Sequence, residues 1–161
     1  SGADGLAMVA ETGCAGVVVG RGCLGRPWLF ADLVAAFSGT QSKALPSLFE
    51  VREVMYRHGE LIVDYFENED RGCRDLRKHM AWYLKGFRVN SEMRRQFGMV
   101  GSLAELRGLL DQLDDQPYPV EVSEKPRGRT SHGRPVTLPD GWLLDPNEIV
   151  EIELEDMFSG G

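Results

Sequence analysis

Long apolar runs are the first thing this sequence lacks. No stretch approaches the ~20 residues a membrane-spanning helix needs, and the opening residues are not of the charged-then-apolar kind that marks a leader. Cysteine is scarce as well. The three present, Cys14, Cys23 and Cys73, are odd in number and form no CxxC pair. That argues against a disulfide framework or a zinc centre and for free thiols in a reducing compartment. No paired carboxylates, no His/Cys cluster and no Ser/His/Asp order stand out, so neither metal nor hydrolytic chemistry is expected. Positive charge is in deficit overall, with a net charge of −7 over 161 residues, which argues against a protein that simply coats nucleic acid. A soluble, cytoplasmic monomer that binds neither metal nor membrane is the expectation.

At 42% hydrophobic residues the chain can bury a core. It opens without methionine on "SGADGLAMVAETG", where apolar spacing is already helical, as if in the middle of a fold. Residues 3 to 12 read as a short helix stopped by Gly13. "AGVVVG" (15 to 20) is β-branched without polar alternation, the pattern of a strand buried on both faces. After a glycine-rich turn, Pro27 suits a first helical turn, and "PWLFADLVAAF" continues to Ser38-Gly39. A buried strand, a tight turn and a helix make the βα half of an α/β architecture.

Residues 39 to 47 form a polar linker, and beyond them the pattern is all-helical. Ser47 and Glu50 have capping-box spacing at the start of a long helix. A second helix is expected from about Asp70 to Phe87, and a third is capped by Asn90 or Ser91. Ser102 and Glu105 repeat the capping-box spacing before a leucine-bearing face. These elements make a compact helical bundle, closed by Pro117 and Pro119. The expected organisation is an α/β segment at 1–38, a linker at 39–47, a helical domain at 48–118 and a partly disordered extension at 119–161. The chain is mostly α.

Two stretches carry chemistry. In the first, Gly20, Gly22 and Gly25 surround Arg21 directly after the apolar run. Glycines let backbone amides approach an anion closely, and an arginine adds fixed charge. The same glycines also suit an ordinary tight turn, and spacing alone does not decide between the two. In the second, a helical wheel over residues 71–88 gathers Cys73, Leu76, Met80, Tyr83, Leu84 and Phe87 on one buried arc. Arg71, Arg74, Arg77, Lys78, Lys85 and Arg88 fill the adjoining arc. Residues 71–95 hold eight Lys/Arg against Asp75 and Glu92 only, an excess set in an otherwise acidic chain. A solvated face with local ion pairs is one account of such a run. A phosphate-tracking surface is the other, with Trp82 at its edge to stack on an unpaired base. His58 and His79 read as structural histidines.

"ETGCAGVVVGRGCLGRPWLF" resembles the last strand and phosphate loop of the tRNA-dihydrouridine synthases, in which "TG…G(V)MIGRGA.G.PW(L/I)F" recurs. "KHMAWYLKGF" (78 to 87) resembles the "KH…WY" element of that family's helical domain. The two occur in the family's order, and the resemblance runs from about residue 3 to 118. It implies the final βα unit of an FMN-binding TIM barrel followed by an all-α tRNA-binding domain. The implied chemistry is NADPH reducing FMN, which passes hydride to a uracil C5–C6 bond in tRNA. Gly20, Arg21 and Gly22 match the positions that hold the FMN phosphate. Arg71, Arg74, Lys78, Trp82, Lys85 and Arg88 become the candidate tRNA contacts. The family's general-acid cysteine lies on an earlier barrel loop, so none of the three cysteines here corresponds to it and no catalytic residue is expected in this chain. A noncatalytic helical RNA-binding module is the alternative, and another FMN-dependent barrel enzyme a third reading.

Overall fold

A computed structural model describes residues 1–40, 44–123 and 125. The chain divides into two units, Ser1–Arg129 and Thr130–Gly161, and the second lies outside the described residues. So does nearly all of the extension expected at 119–161, of which only the helical turn Val120–Ser123 belongs to a described element.

Helix α1 (Gly2–Thr12) stops at Gly13 as expected, where Gly13 turns left-handed, and it begins at a capping box between Ser1 and Asp4. It lies on α2 (Leu29–Phe37) through Gly2 and Gly5, whose missing side chains leave room for the Asp32 carbonyl and for Leu33 and Ala36. Between the two helices the expected strand does not form. No strand occurs among the described residues, and Val18 is 99% exposed. The physical reason is partnership: a strand's N–H and C=O groups need a neighbouring strand, and nothing in the described chain supplies one. The apolar run is irregular backbone leading into a 3₁₀ turn at Arg21–Cys23.

The rest is a helical bundle. Helix α3 (Leu48–Phe66) opens on the expected box: Ser47 Oγ accepts from Glu50 N–H, and Glu50 Oε2 accepts from Ser47 N–H at 2.7 Å. Helix α4 (Glu69–Tyr83), capped by Asn68, folds back antiparallel to α3, with Gly72 against Val63 and Tyr83 against His58. A Cβ on Gly72 would sit 2.8 Å from Val63 Cα, so glycine here sets how closely the two backbones approach. Helices α5 (Ser91–Phe97), capped by Asn90, and α6 (Leu103–Leu110), capped by Ser102, close the core. That core contains Leu48, Val51, Met55, Leu76, Met80, Leu84, Phe97, Val100, Leu106 and Leu110, all almost fully buried.

Two details differ from the sequence reading. Helix α4 stops at Tyr83, not Phe87, because Gly86 takes φ +89 and Arg94 gathers the carbonyls of Leu84, Phe87 and Val89 at 2.8–3.0 Å. The second capping box is half-formed. Ser102 Oγ accepts from Glu105 N–H, but the Glu105 carboxylate reaches Gly101 N–H and not Ser102.

Candidate flavin-phosphate loop and nucleic-acid interface

The glycine-rich loop has two unlike halves. At Gly20 no other heavy atom comes within 4 Å of where a Cβ would be, and the Arg21 side chain is exposed. This half is open where a Cβ would project and carries an exposed cation, features that suit a phosphate. The second half is docked. Gly25 is buried at φ +64, and a Cβ there would lie 2.3 Å from the carbonyl carbon of Trp82 and 2.5 Å from Tyr83 N. Its glycine is required by close backbone contact with the end of α4 and by the left-handed φ together. Arg26 Nε donates to Gly22 O at 2.7 Å, joining the docked half to the open half.

Cys23 sits in the turn with its thiol donating to Gly20 O at 3.2 Å. Cys14 is half-buried in the irregular segment after α1, and Cys73 is fully buried in α4, where burial pushes its thiol up. Sulfur thus serves packing and local turn contacts in this part of the chain.

Beside the docked half lies a cavity of about 570 Å³, with Leu24, Pro27, Val54 and Leu61 among its apolar walls and His58, His79 and Tyr83 among its polar ones. Tyr83 Oη and His58 Nδ1 share a hydrogen bond at 3.1 Å. The His58 and His79 rings meet edge-on with centroids 4.7 Å apart, and His79 meets Trp82 at 5.3 Å. Burial, reinforced by His58, holds His79 down at about 4, and burial also lowers His58. Burial, with Cys23 nearby, lifts the Tyr83 phenol to about 12. Burial thus holds both imidazoles towards their neutral form and the phenol towards its protonated one. The sequence marked these residues one at a time. Their assembly comes from pairing α3 with α4, which no local pattern encodes.

The basic residues of α4 are less free than their count implies. Arg74 pairs with Asp70, Lys78 with Asp75 at 2.6 Å, and Arg95 with Glu92 at 2.6 Å. Counting Glu69 and Asp70, residues 69–95 hold eight cations and four anions, so the excess is smaller than residues 71–95 alone suggested. Arg77 and Arg94 turn inward, Arg77 donating to Val100 O at 2.8 Å. Of the remaining candidates, Arg71, Arg74, Lys78 and Arg88 are exposed and Trp82 and Lys85 half-buried. Arg71 is exposed with its guanidinium 4.4 Å over the Phe66 ring, and Arg74 and Lys78 keep well over half their side-chain surface in solvent. Trp82 is half-buried, Lys85 reaches Lys125 O at 3.5 Å, and Arg88 is exposed while its backbone is held on both sides by the Gln116 amide.

Among the described residues no group of three His, Cys, Asp or Glu side chains could hold a metal ion. None of their helices is long and apolar enough to cross a membrane.

The family model described as dihydrouridine synthase matches residues 1–118. A probable tRNA-dihydrouridine synthase of Mycobacterium leprae is 53% identical over 160 residues, covering 98% of this chain and 41% of that protein. Its counterpart in Mycobacterium tuberculosis is 51% identical over the same span. A probable tRNA-dihydrouridine synthase of Rhodobacter capsulatus is 36% identical over 99 residues, 60% of this chain and 30% of that protein. The chain spans about two fifths of the length of the mycobacterial relatives it matches.

Proposed function

Because the chain belongs to the dihydrouridine synthase family, we propose that it is the C-terminal part of a tRNA-dihydrouridine synthase that uses FMN and NADPH. In this reading residues 1–38 end the flavin-binding barrel, residues 48–118 grip tRNA, and the activity belongs to the whole enzyme in the cytoplasm, acting as a monomer. The observation that carries the reading is the family match over residues 1–118, which contains both the glycine-rich loop and α4.

Gly20, Arg21 and Gly22 would hold FMN by its phosphate, and the chemistry that group would supply, with NADPH as reductant, is hydride for the C5–C6 bond of a uracil base. This chain's residues bind and position. Gly20 and Gly22 let backbone amides meet the phosphate dianion, and the open space at Gly20 supports that role. Arg21 adds a fixed positive charge that no pH change near neutrality removes. Arg71, Arg74, Lys78, Lys85 and Arg88 track tRNA phosphates from α4 and the turn after it, and Trp82 offers a ring edge for an unpaired base. No residue here serves as the general acid, so the isolated chain is expected to be inactive.

The test is direct. Unmodified tRNA, NADPH and the full-length enzyme should yield dihydrouridine, detected by mass spectrometry of digested tRNA, whereas this chain alone should yield none. Product from the isolated chain, or none from the full-length enzyme, overturns the reading. A noncatalytic RNA-binding module is favoured by one observation: the α3–α6 core closes without help from residues 1–38, apart from Trp28 packed against it. A full-length protein that binds tRNA but retains no flavin would establish that alternative.

A further inference from the structure

We propose that Arg26, with Gly25, is a positioning residue for the flavin-phosphate turn, holding Gly20–Gly22 at a fixed place relative to the end of α4. The inference rests on the phosphate role of that turn proposed above.

The geometry forms a chain of three contacts. Gly25 seats the loop against the Trp82–Tyr83 peptide, so closely that a single Cβ would collide with backbone. Arg26 follows immediately, and its Nε donates to Gly22 O at 2.7 Å in a partly buried setting. Gly22 belongs to the turn whose other end, Gly20, is open on the side where a Cβ would project. The Arg26 side chain thus links the seated Gly25–Arg26 pair back to the turn, alongside the bonds of Leu24 N–H to Arg21 O at 3.2 Å, Arg26 N–H to Cys23 O at 2.9 Å, and the Cys23 thiol to Gly20 O.

Backbone amides bind a phosphate tightly only when they already converge on it, because ordering them at the moment of binding costs part of the gain. A guanidinium spent on a carbonyl of its own loop is therefore a pre-organising device. It also fixes a second positive charge near the turn, in addition to that of Arg21. Both effects act on the phosphate and neither touches the flavin ring, which makes the role separable by ligand.

The experiment measures FMN and riboflavin binding to the full-length enzyme by flavin fluorescence quenching, since riboflavin lacks the phosphate. Arg26→Gln should weaken FMN about tenfold, the scale of one lost charge-assisted hydrogen bond, and leave riboflavin unchanged. Arg26→Lys should recover part of the FMN preference, because an ammonium can still donate to the Gly22 carbonyl. Gly25→Ala should show the Arg26→Gln pattern; if it does not fold by circular dichroism, the Arg26 variants decide. Equal weakening of both ligands, or an unchanged FMN-to-riboflavin ratio in Arg26→Gln, overturns the inference. Arg21→Ala separates the two levels: if it lowers the ratio while Arg26→Gln does not, the phosphate turn stands and the positioning role falls. If neither variant moves the ratio, both fall.

Discussion

Replacing Gly72 by alanine sets two effects of known size against each other. Alanine is the better helix former by roughly 1 kcal/mol, so propensity alone would make the variant more stable. Packing opposes it. The new Cβ would lie 2.8 Å from both Cα and Cγ2 of Val63 and 3.0 Å from its backbone N. Two of these atoms are backbone of the facing helix and cannot rotate away, so α3 and α4 must separate along the bundle's central contact. Overpacking of this kind costs about 1–3 kcal/mol, and a backbone clash belongs at the upper end. The net expectation is a loss of about 2 kcal/mol. Gly108 in α6 is the internal control, with no atom within 4 Å of its Cβ position. There only propensity acts, and Gly108→Ala should gain about 0.5–1 kcal/mol. Urea unfolding of the chain followed by circular dichroism at 222 nm measures both, with the slope compared to confirm that the same surface is exposed. If Gly72→Ala proves as stable as Gly108→Ala, the close α3–α4 approach is wrong.

Acid should destabilise the bundle through its histidine pair. His79 is held at about 4 in the fold against its ordinary 6.5, so between those values the unfolded chain binds the extra proton. The stabilisation is complete above pH 6.5 and is lost as pH falls towards 4. In a dry interior that shift would be worth roughly 3 kcal/mol, and partial exposure of the ring to screening solvent leaves about 1–2. Unfolding free energies from pH 7.5 to 4 should flatten in His79→Gln, and an unchanged slope in that variant would refute the assignment. Arg94→Met should cost about 2 kcal/mol by stranding three carbonyls, yet leave RNA affinity alone, checked by paired melting and binding curves. The triple variant Arg74→Ala, Lys78→Ala, Lys85→Ala should do the reverse: near-wild-type melting, weaker tRNA binding, and a log–log salt slope shallower by about two. Unchanged affinity would remove α4 from the RNA surface.

The helices were readable because their determinants are local. Ser47, Asn90 and Ser102 each sit within three residues of the amide they cap, and the apolar spacing of α4 named Cys73, Leu76, Met80 and Tyr83 as buried before any packing partner was known. What stayed hidden depends on distant residues. The run 16–19 has strand chemistry, but its pairing partners are not in the described chain, so composition alone misjudged it. The end of α4 moved because Arg94 captures carbonyls ten, seven and five residues earlier. Gly25 could be seen as one of three loop glycines, but its partner at Trp82 is 57 residues away, so its role differs from that of Gly20 for a reason spacing cannot express.

On the proposed RNA-binding role of α4, its ion pairs are exchangeable contacts. Exposed pairs such as Arg74–Asp70 and Lys78–Asp75 contribute roughly 0–1 kcal/mol each, so exchanging the carboxylate for a phosphate costs little. The gain on exchange is larger, because each neutralised phosphate releases counterions from the RNA. Meanwhile the carboxylates repel phosphates that approach off register, which favours specificity over raw affinity. The two inward arginines have no such exchange open to them: Arg77 and Arg94 are bonded to main-chain carbonyls that would be left without them. The basic segment from Arg71 to Arg95 therefore sorts its cations by what each is bonded to, with carboxylate-paired ones available to a polyanion and carbonyl-bonded ones committed to the fold. Asp70→Asn and Asp75→Asn should consequently raise tRNA affinity and relax its selectivity over other RNAs, with little change in melting temperature. Lower affinity in those variants would mean that the acids orient the cations and do not compete for them.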